Sequence, residues 1–274
     1  MPEERQPIDL KIREYFEETR AKYAEGDSQY ANMSITGDYG TGKTSLFATC
    51  PRPVLIDSFD PGGTKTRVLQ PLIDSGDIIV ERFEDDDWKK PSAYRAWDKR
   101  FQERRRSGIF AHLGTYGMDS ATNWVLFLMH HLLTLGLSNT GNHAGAAPYQ
   151  SDYLYQQLNA GNIMRKDIMP LPCHTIVTSH IHLEKDSLTG KIEAGLLMWG
   201  KLAELFPLAF DEKYFMIVNK KASGVEHKLL TKNNSYYKAE TRMGGDLFET
   251  FEPPDIRALL KKAGKSYEDK PRIL

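Results

Sequence analysis

Apolar residues recur at helical spacing near the start of the chain, at Ile8, Ile12, Tyr15, Phe16, Thr19 and Tyr23, and Gly26 stands where a C-terminal cap would be. This predicts an amphipathic N-terminal helix whose stripe packs on its own core or on a neighbour. The period then changes. Tyr30 to Thr36 reads as a short strand, Gly37 to Gly42 as a glycine-rich turn, and Lys43 to Thr49 as a helix that Pro51 stops. Val54 to Asp57 is a second apolar strand running into the polar turn Asp57-Ser58-Phe59-Asp60-Pro61-Gly62-Gly63, and Ile78 to Val80 is a third.

Between Glu84 and Arg106 the chain turns highly charged, with an acidic run to Asp87 and then a helix ending in Arg104, Arg105 and Arg106, which reads most simply as a solvated face. Leu113 to Met118 leads as a strand into Asp119, and Ala121 to Leu135 is apolar nearly all round, as a crossover helix packed between sheet and neighbours would be. Ser138 to Gln150, rich in Gly, Ala and Asn, predicts a flexible loop before a helix from about Asp152 to Lys166. Thr175 to Thr178 is a buried-type strand, Phe215 to Asn219 and Lys228 to Thr231 are later strands suited to antiparallel pairing, and Asp255 to Lys262 is a closing helix before Gly264. Strands alternating with helices imply an α/β fold with a mostly parallel central sheet flanked by helices and C-terminal antiparallel strands.

Length adds one constraint. A chain of 274 residues with 40% hydrophobic content buries one sizeable core. The expected division is an N-terminal helical arm over residues 1–28, a core over 29–264 and a C-terminal tail over 265–274. Lys and Arg number 36 against 37 acidic residues, so a nucleic-acid contact would need a local basic stripe. The longest apolar run, Trp124 to Leu137, is interrupted by His130, His131 and Thr134 and is too polar to span a bilayer. Cys50 and Cys173 fit no zinc or redox spacing, and no apolar signal region opens the chain, so the expected home is the cytoplasm, without a membrane partner.

The chemistry is concentrated in Gly37-Asp38-Tyr39-Gly40-Thr41-Gly42-Lys43-Thr44, which matches GxxxxGK[ST], with Ser45 following it. A chance match in such a chain is roughly a one-in-a-hundred event. Glycines let the backbone curl so that its N–H groups point at phosphate oxygens, and the helix start adds favourable partial charge. Lys43 then reaches the terminal phosphates of a nucleoside triphosphate, and Thr44 ligates magnesium (Mg2+). Asp119, at a strand end, is the natural second magnesium partner, because parallel strands bring their C-terminal ends to one edge. It also suits a helix N-cap. Ser120 follows it where many ATPases carry a water-activating glutamate, so another strand must supply that carboxylate. Asp60 is the first choice and Asp57 the second, although both also suit turn chemistry. Ser179 and His180 end a strand where a polar side chain can sense the terminal phosphate, and a satisfied core histidine is the alternative.

Taken together, the Walker A run, the Asp57 to Gly63 turn, Met118-Asp119-Ser120, Thr178-Ser179-His180, Gly200-Lys201-Leu202 and Phe210-Asp211-Glu212 resemble the RecA-like P-loop ATPases. In particular they resemble the phage AAA-type nucleotide-binding family that includes RecA-core single-strand annealing proteins. The likeness spans about Tyr30 to Gly264. It implies a RecA-like core, ATP as ligand, a water-orienting role for Asp60, and service in phage DNA recombination, annealing or replication. It also implies a homo-oligomer or filament in which late cations, here Lys201 and the Arg242 of Lys238 to Arg242, reach the neighbour's triphosphate. Two flexible loops that bind single-stranded DNA would by position be Ser138 to Gln150 and Leu183 to Trp199. Two alternatives stand beside this reading: a nucleotide-dependent switch or assembly factor with little turnover, and a P-loop small-molecule kinase.

Overall fold

The computed structural model describes residues 9–25, 29–83, 87–137, 141–185, 190, 192–221 and 224–274. The predicted helix residue Ile8, the cap Gly26, much of the acidic run before Asp87, and parts of both predicted loops lie outside them. Helix α1 (Leu10–Glu25) precedes β1 (Asn32–Gly37), a 3-10 turn over Thr44–Thr49, β2 (Val54–Ser58), α2 (Gln70–Asp74) and β3 (Ile78–Arg82). Next come α3 (Ala93–Ser107), β4 (Thr115–Asp119), α4 (Ala121–Leu135) and α5 (Gln150–Ile163). The chain ends with β5 (His174–Lys185), β6 (Ile192–Leu196), α6 (Leu202–Leu205), β7 (Glu212–Lys221), β8 (Gly224–Leu230), β9 (Glu240–Thr241), β10 (Phe251–Glu252) and α7 (Ile256–Lys262).

One sheet runs in the order β10-β8-β7-β1-β5-β4-β2-β3, with β6 paired to β5 and β9 to β7. From β7 to β3 every pairing is parallel, and the additions at β8, β10, β6 and β9 are antiparallel. Alternation along the parallel strands feeds two cores, because both faces of such a sheet are covered. Leu55, Tyr116, Met118 and Val177 face a core with Trp97 of α3 and Trp124 of α4, while Val54, Ile56 and Ile176 face one with Phe47 and α7.

Two expectations need correction. The segment after the glycine-rich turn is a 3-10 turn over Thr44–Thr49, shorter and tighter than the α-helix expected for Lys43 to Thr49. It seats Phe47 on Gly117 of β4, where an added Cβ would stand 2.4 Å from the Phe47 ring, so only glycine permits this approach. Leu183 to Trp199, expected as a loop, instead contains an antiparallel hairpin, Ile181–Lys185 against Ile192–Leu196. Cross-strand hydrogen bonds satisfy that backbone despite its polar side chains.

The last residues lie along the amino edge of the sheet. Ser266 donates its N–H to Gln29, Asp269 accepts from the Arg52 N–H, and Lys270 donates to the carbonyls of Ala111 and Pro172. Among the described residues no helix is long and apolar enough to cross a membrane.

Candidate functional site

Parallel strands place their carboxyl ends together, and here the register gives the partners. Gly37 at the end of β1 pairs His180 of β5, and Ser58 at the end of β2 pairs Asp119 at the end of β4. The glycine-rich loop, the Asp60 turn and the start of α4 therefore meet at one edge, with β5 alone between the loop strand and the Asp119 strand.

Within the loop, Gly40 and Gly42 take φ of 73° and 93°, which L side chains rarely adopt. A Cβ on Gly37 would stand 2.7 Å from the Thr41 Oγ1. That hydroxyl donates to the Asp38 carbonyl, the Asp38 carboxylate accepts from the Tyr39 N–H, and the Tyr39 ring is exposed. Lys43 is buried, and its ammonium donates to the carbonyls of Gly37 at 3.0 Å and Asp38 at 2.9 Å. Burial lowers its pKa, and the nearby charges of Asp119, Asp60 and Asp38 oppose that shift.

Asp119 is buried at the centre of the edge. Its Oδ2 accepts from the Thr44 hydroxyl at 2.8 Å and its Oδ1 from the Thr178 hydroxyl. Burial raises its pKa, the Thr178 hydrogen bond works against this, and the Asp60 charge adds to the rise. A hydroxyl and a carboxylate oxygen side by side are the hard ligands magnesium takes, so Thr44 and Asp119 fit that ion.

Asp60 forms the second carboxylate. It accepts from the Ser120 hydroxyl at 2.7 Å and the Asn123 amide at 2.8 Å, and its Oδ2 lies 3.2 Å from His180 Nε2. Burial pushes its pKa up, but the hydrogen bonds from His180 and Ser120 outweigh it and hold the carboxylate below its ordinary value. A Cβ on Gly63 would come within 3.4 Å of Asp119 Oδ2, so the turn lies close over the second acid.

Asp57 is not brought to this cluster. It is fully buried; both its oxygens accept from the one Arg104 Nη1, at 2.7 and 2.9 Å, and it takes hydrogen bonds from the Tyr116 hydroxyl and the Trp97 indole. Arg104 also pairs with Glu81. The predicted solvated face of α3 thus carries one buried arginine. Lys201 is exposed just before α6, and Arg242 follows β9, which pairs with the start of β7 at the sheet edge opposite the glycine-rich loop. The Arg242 guanidinium lies 3.4 Å from Asp211, and its backbone N–H donates to the buried Glu212.

Three contributors were missed by sequence reasoning. Thr178 holds Asp119, Asn123 holds Asp60, and His227 Nδ1 sits 2.8 Å from the Thr41 carbonyl. A polar Asn four residues after Asp119, in the first turn of a helix that is mostly apolar beyond it, was a usable signal. Nothing local marked His227.

Residues 29–243 match the AAA domain family, from just before the loop strand to just past Arg242. The chain belongs to that family. Its core is an α/β fold with a mostly parallel sheet, in which the loop strand and the Asp119 strand are separated by one parallel strand. No curated protein matches this AAA domain in sequence. Solved structures similar to it include a prototypical ATPase from the type III secretion system of pathogenic bacteria, at 13% identity over 68% of this chain, with TM-score 0.46. The chain spans about half the length of that ATPase, 52%. Others are a KaiC-like protein from Pyrococcus horikoshii OT3, at 12% identity over 73% of this chain and 77% of that one, with TM-score 0.39, and the flagellar accessory protein FlaH from Methanocaldococcus jannaschii, at 11% over 80% and 84%, with TM-score 0.40.

Proposed function

We propose that this AAA domain binds ATP with magnesium at the carboxyl edge of its sheet and hydrolyses it. The observation that carries the reading is the convergence of Lys43, the Thr44–Asp119 pair and the Asp60–His180 pair on that single edge. Lys43 rests on carbonyl oxygens of its own loop, neutral acceptors that the more negative oxygens of a triphosphate would replace. When bound, magnesium would be held by Thr44 and Asp119 and would neutralise charge on the phosphate oxygens.

Asp60 is the water-orienting carboxylate in this scheme. Ser120 and Asn123 fix its Oδ1, which leaves Oδ2, shared with His180, to accept a proton from water. His180 ends the segment of β5 that pairs with the loop strand, and the β5–β6 hairpin continues from it. Loss of the terminal phosphate would thereby be felt in that hairpin.

Arg242, at the opposite edge and beside Asp211, lies away from this subunit's own loop, so its part in a nucleotide site would be in a neighbour's, and a shared site in an oligomer is part of the proposal. Phosphate release from ATP, with and without magnesium and with and without single-stranded DNA, tests the reading. Magnesium-dependent release supports it, and binding without release would favour a nucleotide switch.

A further inference from the structure

The strand β7 leaves β1 behind at Gly37, paired with Met216, yet continues to Lys221, and β8 returns from Gly224. Residues 217–221 and 224–228 therefore overhang the edge on which the glycine-rich loop lies. On this overhang His227, opposite Val218, turns its ring to the loop. Nδ1 is 2.8 Å from the Thr41 carbonyl oxygen, and an added Cβ on Gly42 would stand 3.5 Å from Nδ1 and 3.6 Å from Met216 Cε. A carbonyl oxygen only accepts, so Nδ1 carries the proton and donates.

The Thr41 carbonyl and the Gly42 N–H belong to one peptide unit. In a trans peptide these two groups point in opposite directions. Holding the carbonyl toward His227 turns the Gly42 N–H away from the hairpin. Glycine at position 42, with φ of 93°, leaves little else to oppose a flip of that peptide. A flipped unit would present an oxygen where an anion needs a donor.

We infer that His227 is a positioning residue for the phosphate-binding loop: it locks the Thr41–Gly42 peptide in the donor-presenting orientation and ties nucleotide affinity to the β7–β8 hairpin. The inference rests on the nucleotide reading above and adds a residue and an element to it. Because coupling is reciprocal, bound nucleotide must in turn steady the hairpin.

Three variants at one exposed position separate the donor from the ring. Asn places an amide N–H close to where Nδ1 stands, Gln places it near Nε2, and Ala removes both. His227→Ala and His227→Gln are expected to weaken binding of a fluorescent ATP analogue about three- to tenfold, the worth of one hydrogen bond, with a larger effect on KM than on kcat. His227→Asn should stay within about twofold of wild type. Hydrogen exchange across residues 217–228 should slow on adding nucleotide to the wild type and the Asn variant, and not in the Ala variant. Equal loss in all three variants, or loss in none, would overturn the inference. Lys43→Ala serves as the control: if it binds like wild type, the nucleotide site itself is refuted, whereas its loss beside an unaffected His227→Ala overturns only the role of His227.

Discussion

Thr44 and Asp119, 75 positions apart in sequence, meet at 2.8 Å with the threonine hydroxyl donating to Oδ2. Thr178 holds the other oxygen, so Asp119 keeps a partner if Thr44 is lost. Thr44→Ala should therefore cost only about 1 kcal/mol of stability, one net hydrogen bond. The same change should raise the magnesium concentration needed for half-maximal turnover. A magnesium titration unchanged from wild type would take Thr44 out of the ion site.

Asp57 and Arg104 form a buried ion pair that the Tyr116 hydroxyl and the Trp97 indole complete. Removing one partner strands the other charge in the core, at about 3–5 kcal/mol. Arg104→Leu should thus lower the urea midpoint sharply, and Asp57→Asn should do so by a smaller margin because its amide still accepts. Turnover per folded molecule should hold in both. Should Asp57→Asn lose turnover while keeping its midpoint, the water-orienting role would pass from Asp60 to Asp57.

His174 sets a pH dependence. Its Nδ1 accepts from the Ala31 N–H and its Nε2 donates to the Ser266 carbonyl, the pattern of a neutral ring, and burial pulls its pKa from 6.5 to about 4. Between those values the unfolded chain binds the extra proton. The stability from His174 is thus fully present above pH 6.5 and falls as pH drops toward 4, by roughly 3 kcal/mol at most. Denaturation midpoints against pH should show a shallower acid slope in His174→Gln than in wild type. Identical slopes would remove His174 as the source.

Much of this edge was legible in sequence because its signals are local. The crossover helix Ala121–Leu135 matches its apolar pattern end to end, and the glycine-rich run fixes a loop by backbone sterics alone. The Asp57 burial was also within reach: Leu55 and Asp57 alternate onto one face of β2, Phe59 continues the alternation just past its end, and Leu55 and Phe59 lie in the α3 core. What could not be read was pairing at a distance. Polar residues His180, His182 and Glu184 hide the far half of β5, and only its partner Ile192–Leu196 makes it a strand. His227 reaches Thr41 across 186 positions for the same reason, since no period encodes which hairpin will overhang which loop.

A shared site predicts complementation. Arg242→Ala keeps a sound loop and Lys43→Ala keeps a sound arginine, so mixing the two inactive variants should restore part of the turnover. Lys201→Ala should behave as Arg242→Ala does. With both partners folded and assembling, no recovery on mixing would leave Arg242 as the structural partner of Asp211.

The central claim is that one edge both holds ATP and orients the water that cleaves it. Nucleotide binding and single-turnover hydrolysis, measured side by side on wild type, Lys43→Ala and Asp60→Asn, test it directly. The account predicts that Lys43→Ala loses both and that Asp60→Asn binds like wild type but cleaves roughly a hundredfold more slowly or worse. Undiminished hydrolysis in Asp60→Asn, or undiminished binding and hydrolysis in Lys43→Ala, would contradict it.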